Sequence, residues 1–223
     1  MARQLVFDLP PRRSLGRRNF FAAPSNALAL AQIDGWRGWP QRKLVLVGPE
    51  GSGKTHLAHV WAAESGAELV PAAELPLADV PALAAAGAVV VENADRIAGY
   101  DAAEAALFHL HNLVLAEGGH LLVTARAAPA RWRLRLPDLA SRMQGTAAAV
   151  LDAPDDALLA AVLVKLFADR QLAVPTALIP FLVARMDRSL AAASDLVARL
   201  DAEALASGRP LGRALAAALL APA

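Results

Sequence analysis

The sequence predicts a three-layer α/β/α domain built on a parallel sheet, followed by a small all-helical domain. Three observations carry this expectation. Short, continuously apolar strand candidates alternate with helix-length segments up to about residue 153, the way strands covered on both faces read. A glycine-rich turn, "GPEGSGKT" (48–55), joins one of these strands directly to a helix. After Pro154 the strand signals stop and every segment has helical spacing. The expected divisions are 1–13, a peptide and linker; 14–153, the α/β domain; and 154–223, the helical domain.

Taken in order, "RQLVFDLPPRR" (3–13) alternates Leu5, Phe7 and Leu9 before two prolines and two arginines cut it off. Termini are usually polar and frayed, so this strip is either tucked into the chain's own core or held out for another protein. The residues alone leave both open. "KLVLVG" (43–48) reads as a buried strand, and "THLAHVWAAESG" as a helix stopped by glycine. "AELV" is a short strand candidate, and "AGAVVVEN" (86–93) a second buried strand. Asp101 is placed to cap the helix of "DAAEAALFHLHNLVLAEGG", and "HLLVTA" (120–125) and "GTAAAVLDAP" supply two more strands. Four helices are expected in "DDALLAAVLVKLFADRQL", "TALIPFLVARMD", "SLAAASDLVARLDAEALASG" and "PLGRALAAALL", with Asp155 or Asp156 capping the first.

Composition excludes several classes. Of the 223 residues 56% are apolar, but much of that is alanine. The uncharged stretch 171–184 contains Pro175 and Pro180 and is too short to span a bilayer. Asp8 and the prolines interrupt any secretory h-region. With no cysteine there is no disulfide or thiolate metal site, which suits a reducing cytosol, and a cytoplasmic location is expected. A formal charge of +1 gives no general pull toward nucleic acid.

The turn at 48–55 fits G-x-x-x-x-G-K-[ST] in full, with a strand before it and a helix after it. Gly48, Gly51 and Gly53 let the backbone wind around phosphates. The backbone N–H groups that follow Pro49, those of Glu50 and Ser52 among them, then point inward, and the helix N-terminus adds a favourable dipole. Lys54 reaches the terminal phosphates and Thr55 offers a hydroxyl to Mg²⁺, so ADP or ATP with Mg²⁺ is the expected cofactor. "VVVENAD" (89–95) delivers Glu92 to the same sheet edge as the acid expected to hold the metal ion through water. The next position is Asn93, an amide that cannot act as a base, and Asp95 is the nearest substitute. Strong nucleotide binding with weak turnover is the expectation.

Together these segments resemble the AAA+ ATPases, and within them the branch around the bacterial replication initiator DnaA. "RRNFFAAPSNALAL" (17–30) resembles the segment ahead of the phosphate loop that packs near adenine. "HLLVTA" resembles the strand carrying a polar sensor, here Thr124. "LPDLASRM" (136–143) resembles the arginine-finger segment and puts that role on Arg142. The helical part resembles the AAA+ lid. An initiator would carry a further DNA-binding domain, whereas this chain ends at Ala223 directly after the lid segment, so no direct sequence-specific DNA binding is expected. "QLVFDL" is similar to the sliding-clamp peptide of the Hda family, DnaA-related proteins that shut initiation down. That resemblance places Gln4 in a polar site and Leu5, Phe7 and Leu9 in apolar pockets of the clamp, with DnaA as the target of Arg142.

Two positions depart from the pattern. The lid arginine that reaches the phosphates aligns with Ala191, Arg188 lying one turn earlier, and Asn93 departs from active hydrolases. Rival readings are an autonomous ATPase such as a helicase or clamp loader, a small-molecule phosphotransferase, and a clamp-bound adaptor without catalysis. Self-association is open. His56 and His59 lack a third ligand for a metal, His109 and His111 sit on different helix faces, Trp36 and Trp39 are expected to pack on the α/β domain, and Arg131, Arg133 and Arg135 read as a solvated face.

Overall fold

The computed structural model describes residues 21–220. The expected clamp peptide, Gln4 to Leu9, lies outside the described residues. Five parallel strands form the sheet: β1 (Lys43–Val47), β2 (Glu68–Pro71), β3 (Ala88–Glu92), β4 (His120–Ala125) and β5 (Ala148–Val150), in the order β2-β3-β4-β1-β5. Lys43 to Val47 of β1 pair in register with Leu121 to Ala125 of β4, and Val45 pairs with Ala148 at the start of β5. The helices among and after these strands are α1 (Ala27–Asp34), α2 (Lys54–Ser65), α3 (Val80–Ala85), α4 (Asp101–Ala116), α5 (Pro137–Gln144), α6 (Asp156–Asp169), α7 (Leu178–Val183), α8 (Leu190–Ser207) and α9 (Arg213–Leu220).

Side chains alternate across a strand, and the apolar runs therefore feed two cores. Val45, Val47, Val89, Val91, Leu121 and Val123 pack under α4 and α5 with Leu107, Leu110, Leu139 and Met143. Leu44, Leu46, Val90 and Leu122 face α1 and α2 on the other side. There Trp39 stacks on Trp61 at 5.1 Å and Trp36 meets Trp61 edge-on at 6.0 Å, so both tryptophans of "GWRGWP" pack on the α/β domain. A third core belongs to the helices after residue 155, where Leu159, Leu163 and Phe167 meet Leu182, Val197, Leu200 and Leu215. No helix among the described residues is long and apolar enough to cross a membrane.

The cap of α6 is Asp155, whose Oδ1 accepts from the Leu158 amide at 2.8 Å. That amide holds the Asp155 carboxyl below its ordinary range. The expected cap at Asp101 is displaced by one residue. Tyr100 takes the non-helical position, and Asp101 opens the first turn of α4 with its carboxylate 3.4 Å from Arg135. Its negative charge still suits a helix N-terminus. The helix expected over 176–187 is short, because only Leu178–Val183 keeps helical geometry after Pro175.

Glu104 ties α4 to the loop before α5. It is 1% exposed, with Oε1 accepting from the Gly99 amide at 2.7 Å and Oε2 from the amides of Arg135 and Leu136, both at 2.8 Å. Removing it orphans three donors, each costing about 1–3 kcal/mol when buried. Glu104→Ala is expected to lower the unfolding free energy by about 3 kcal/mol or more, measured by urea titration.

Candidate nucleotide site

The loop between β1 and α2 takes its shape from glycines that no other residue replaces freely. Gly51 and Gly53 adopt φ of +74° and +100°, a region costly for side chains. A Cβ on Gly51 would collide with Ser189, and one on Gly48 would lie 2.5 Å from the Leu151 carbonyl oxygen. Lys54 starts α2 and is buried, its Nζ donating to the carbonyls of Gly48 at 2.7 Å and Pro49 at 2.8 Å. Burial lowers its ammonium below the ordinary lysine value, against the pull of Asp95 and Glu50. Ser52 Oγ is shielded from solvent and has no partner among the described residues. Thr55 and Glu50 are exposed at the loop mouth, and Arg96 reaches to 4.0 Å from Glu50.

Parallel strands bring their C-terminal ends to this same edge. Glu92 ends β3, and its Oε1 is another buried acceptor without a partner among the described residues. Asn93 turns left-handed at φ +59°, and its amide donates to Thr124 Oγ1 at 3.0 Å, stitching the end of β3 to β4. Asp95 is 10% exposed in its side chain and accepts from Arg126 Nε at 3.1 Å.

The helical part touches the loop directly. The Leu190 amide donates to the Gly51 carbonyl at 2.8 Å, and Ser189, the N-cap of α8, lies against Gly51. Arg188 precedes that contact, bound to Asp156 at 2.7 Å and to the Pro154 carbonyl at 3.2 Å, while Ala191 is exposed. Of the two lid positions weighed from the sequence, Arg188 directly precedes Ser189 in the chain, and its guanidinium is held by Asp156 and the Pro154 carbonyl.

Gly48, Pro49, Glu50, Gly51, Ser52, Gly53, Lys54, Thr55, Glu92 and Thr124 therefore gather at one sheet edge. Arg142 does not join them. It lies in the last turn of α5, just ahead of β5, at the opposite edge. Four strand steps, roughly 13 Å, separate Lys43 at that edge from Val47 at the loop. The Arg142 residue is exposed, and its guanidinium has no hydrogen bond or ion pair among the described residues.

Three features of the structure carried no usable signal in the sequence. Arg126 reads as one basic residue after a strand, and the contact of Ser189 and Leu190 with Gly51 spans about 140 positions. Lys43 reads as the polar start of an apolar strand.

A parallel sheet in this order, a phosphate-type loop after β1 and a following helical bundle define the AAA+ P-loop fold. No protein-family model matches the chain. Solved structures share the fold. Domain III of the Thermotoga maritima replication initiation protein DnaA superposes with a TM-score of 0.78 at 18% identity, over 95% of this chain and 97% of that one. A replication initiator DnaA bound to AMPPCP and single-stranded DNA gives 0.68 at 15% identity, over 87% of this chain and 66% of that one. The FIGL-1 AAA domain in complex with ADP gives 0.64 at 13% identity, over 89% and 80%.

Proposed function

We propose that this chain is a nucleotide-binding regulator of chromosome replication initiation. It docks on the polymerase sliding clamp and stimulates ATP hydrolysis by the initiator DnaA in trans. The observation that carries the reading is Arg142: an exposed guanidinium without a counter-ion among the described residues, set at the sheet edge opposite its own loop. Such a group suits an anion brought by another molecule. Domain III of DnaA has the same fold, which supports stacking the Arg142 edge of one molecule against the loop edge of the other. Set against the γ-phosphate, the guanidinium stabilises charge that develops as water attacks phosphorus and the bond to the ADP oxygen breaks.

The chain's own nucleotide, ADP or ATP, takes the loop amides and Lys54, which exchanges its two carbonyl partners for phosphate oxygens. Ser52 Oγ and Glu92 Oε1, both without a partner among the described residues, fit a polyphosphate and its hydrated Mg²⁺, to which Thr55 would offer its hydroxyl. Bound Mg²⁺ draws charge from the phosphate oxygens. Turnover by this chain is slow, because Asn93 is no base and Asp95 is held by Arg126. That arrangement weighs against an autonomous helicase or clamp loader.

Targeting is assigned to Gln4, Leu5, Phe7 and Leu9, an extended peptide whose alternate side chains give specificity. Capture on immobilised clamp tests it. The intact chain is expected to be retained, and Gln4→Ala, Leu5→Ala to lose at least tenfold in affinity. Equal recovery of the two removes the clamp from the function.

A further inference from the structure

Beneath Arg142 lies a polar cluster in an apolar setting. Lys43 is 3% exposed, although the four residues after it in β1 are all apolar and buried. No carboxylate among the described residues pairs with its ammonium. Its Nζ instead lies 3.2 Å from His111 Nε2 and 3.2 Å from the Arg142 carbonyl oxygen. His111 is 2% exposed, and its Nδ1 lies 3.1 Å from Asn112 Oδ1. An ammonium only donates, so Nε2 accepts and the ring proton is assigned to Nδ1, where Asn112 Oδ1 receives it. Burial, reinforced by Arg142, pushes Lys43 below its ordinary value. Burial likewise lowers His111, outweighing the Asn112 hydrogen bond.

Burying a lysine without a carboxylate is costly, and an apolar side chain at such a position is usually no less stable. What this cluster gains is control of one peptide group. The Arg142 carbonyl takes hydrogen bonds from Lys43 Nζ and, at 2.8 Å, from Thr146 Oγ1. Both donors grip the last turn of α5 at the residue whose side chain is exposed. The cationic Lys43 also disfavours folding of the guanidinium back onto the protein. Asp138, one turn earlier on α5, makes no ion pair with it.

We propose that Lys43 and His111 are positioning residues for Arg142, locking its backbone and turning its guanidinium outward toward a phosphate carried by a partner. This rests on the trans-acting reading of Arg142. A misplacement near 1 Å at a reacting centre can cost about 10²-fold in rate, so the lock acts on the maximal rate rather than on partner affinity.

Two measurements test it. The chain has no cysteine, so Arg142→Cys takes a single spin label whose mobility reports the order of this turn without any partner. Lys43→Met and His111→Leu are each expected to raise the mobile fraction at least twofold, while His111→Gln, which keeps an acceptor for Lys43, is expected to leave it unchanged. In the unlabelled chain, the same Met and Leu variants are expected to lower the maximal stimulated hydrolysis of initiator-bound ATP about 10²-fold, with half-saturation within twofold and His111→Gln restoring the rate. Should Lys43→Met fail to fold, the Leu and Gln pair at His111 decides. Unchanged label mobility, or a loosened turn with an undiminished maximal rate, overturns the positioning role alone. No stimulation by the unaltered chain instead removes the trans reading, and the functional half of this proposal with it.

Discussion

Arg142→Ala is expected to lower the stimulated hydrolysis of DnaA-bound ATP about 10³-fold, the order typical of arginine fingers and equal to about 4 kcal/mol. The fold gives a clean basis for this substitution. Arg142 is exposed and its side chain has no partner among the described residues, so its truncation should change stability by no more than about 0.5 kcal/mol. The backbone carbonyl that Lys43 and Thr146 bind is retained in the variant. Arg142→Lys should recover little, because an ammonium lacks the planar fork that spans two phosphate oxygens. The check is single-turnover phosphate release from pre-loaded initiator, with clamp capture measured in parallel. A variant that is captured normally yet stimulates like the unaltered chain would leave the protein an adaptor and not a donor of a catalytic group.

Lys54→Met is expected to weaken ADP binding by between 10-fold and about 150-fold in isothermal calorimetry. That is the range of a hydrogen bond to a charged group, about 1.5–3 kcal/mol. Lys54 is buried at the first position of α2 and already holds two loop carbonyls, Gly48 and Pro49. A polyphosphate competes for the same three donors, and the aligned amides and helix dipole that remain explain why binding should weaken rather than vanish. Comparable ADP affinity in the two proteins would mean that the loop fold is present without its usual grip.

The sheet was legible because its strands are unbroken apolar runs ending in a glycine or a polar residue, "KLVLVG" and "AVVVEN" above all. The phosphate loop was legible because its glycines are required by backbone geometry, as Gly51 at φ +74° and Gly53 at φ +100° show. Asp101 misled by one place because the non-helical turn falls on Tyr100, and cap positions depend on dihedrals that composition does not encode. Arg126, Lys43 and the Leu190–Gly51 hydrogen bond were invisible for a different reason. Each acts through a partner 31 to 139 positions away, and a single chain read in order carries no signal of such pairings. Ala191 and Arg188 lie one turn apart on paper, and in the structure they flank Ser189, the residue seated on Gly51.

The most direct test of trans action loads the initiator with γ-labelled ATP, removes free nucleotide, and follows phosphate release while this protein is titrated in the presence of clamp on DNA. Release should rise saturably with the protein and require Arg142. Flat release across the titration, with both proteins folded and the clamp occupied, would contradict the assignment of Arg142 to another molecule's nucleotide.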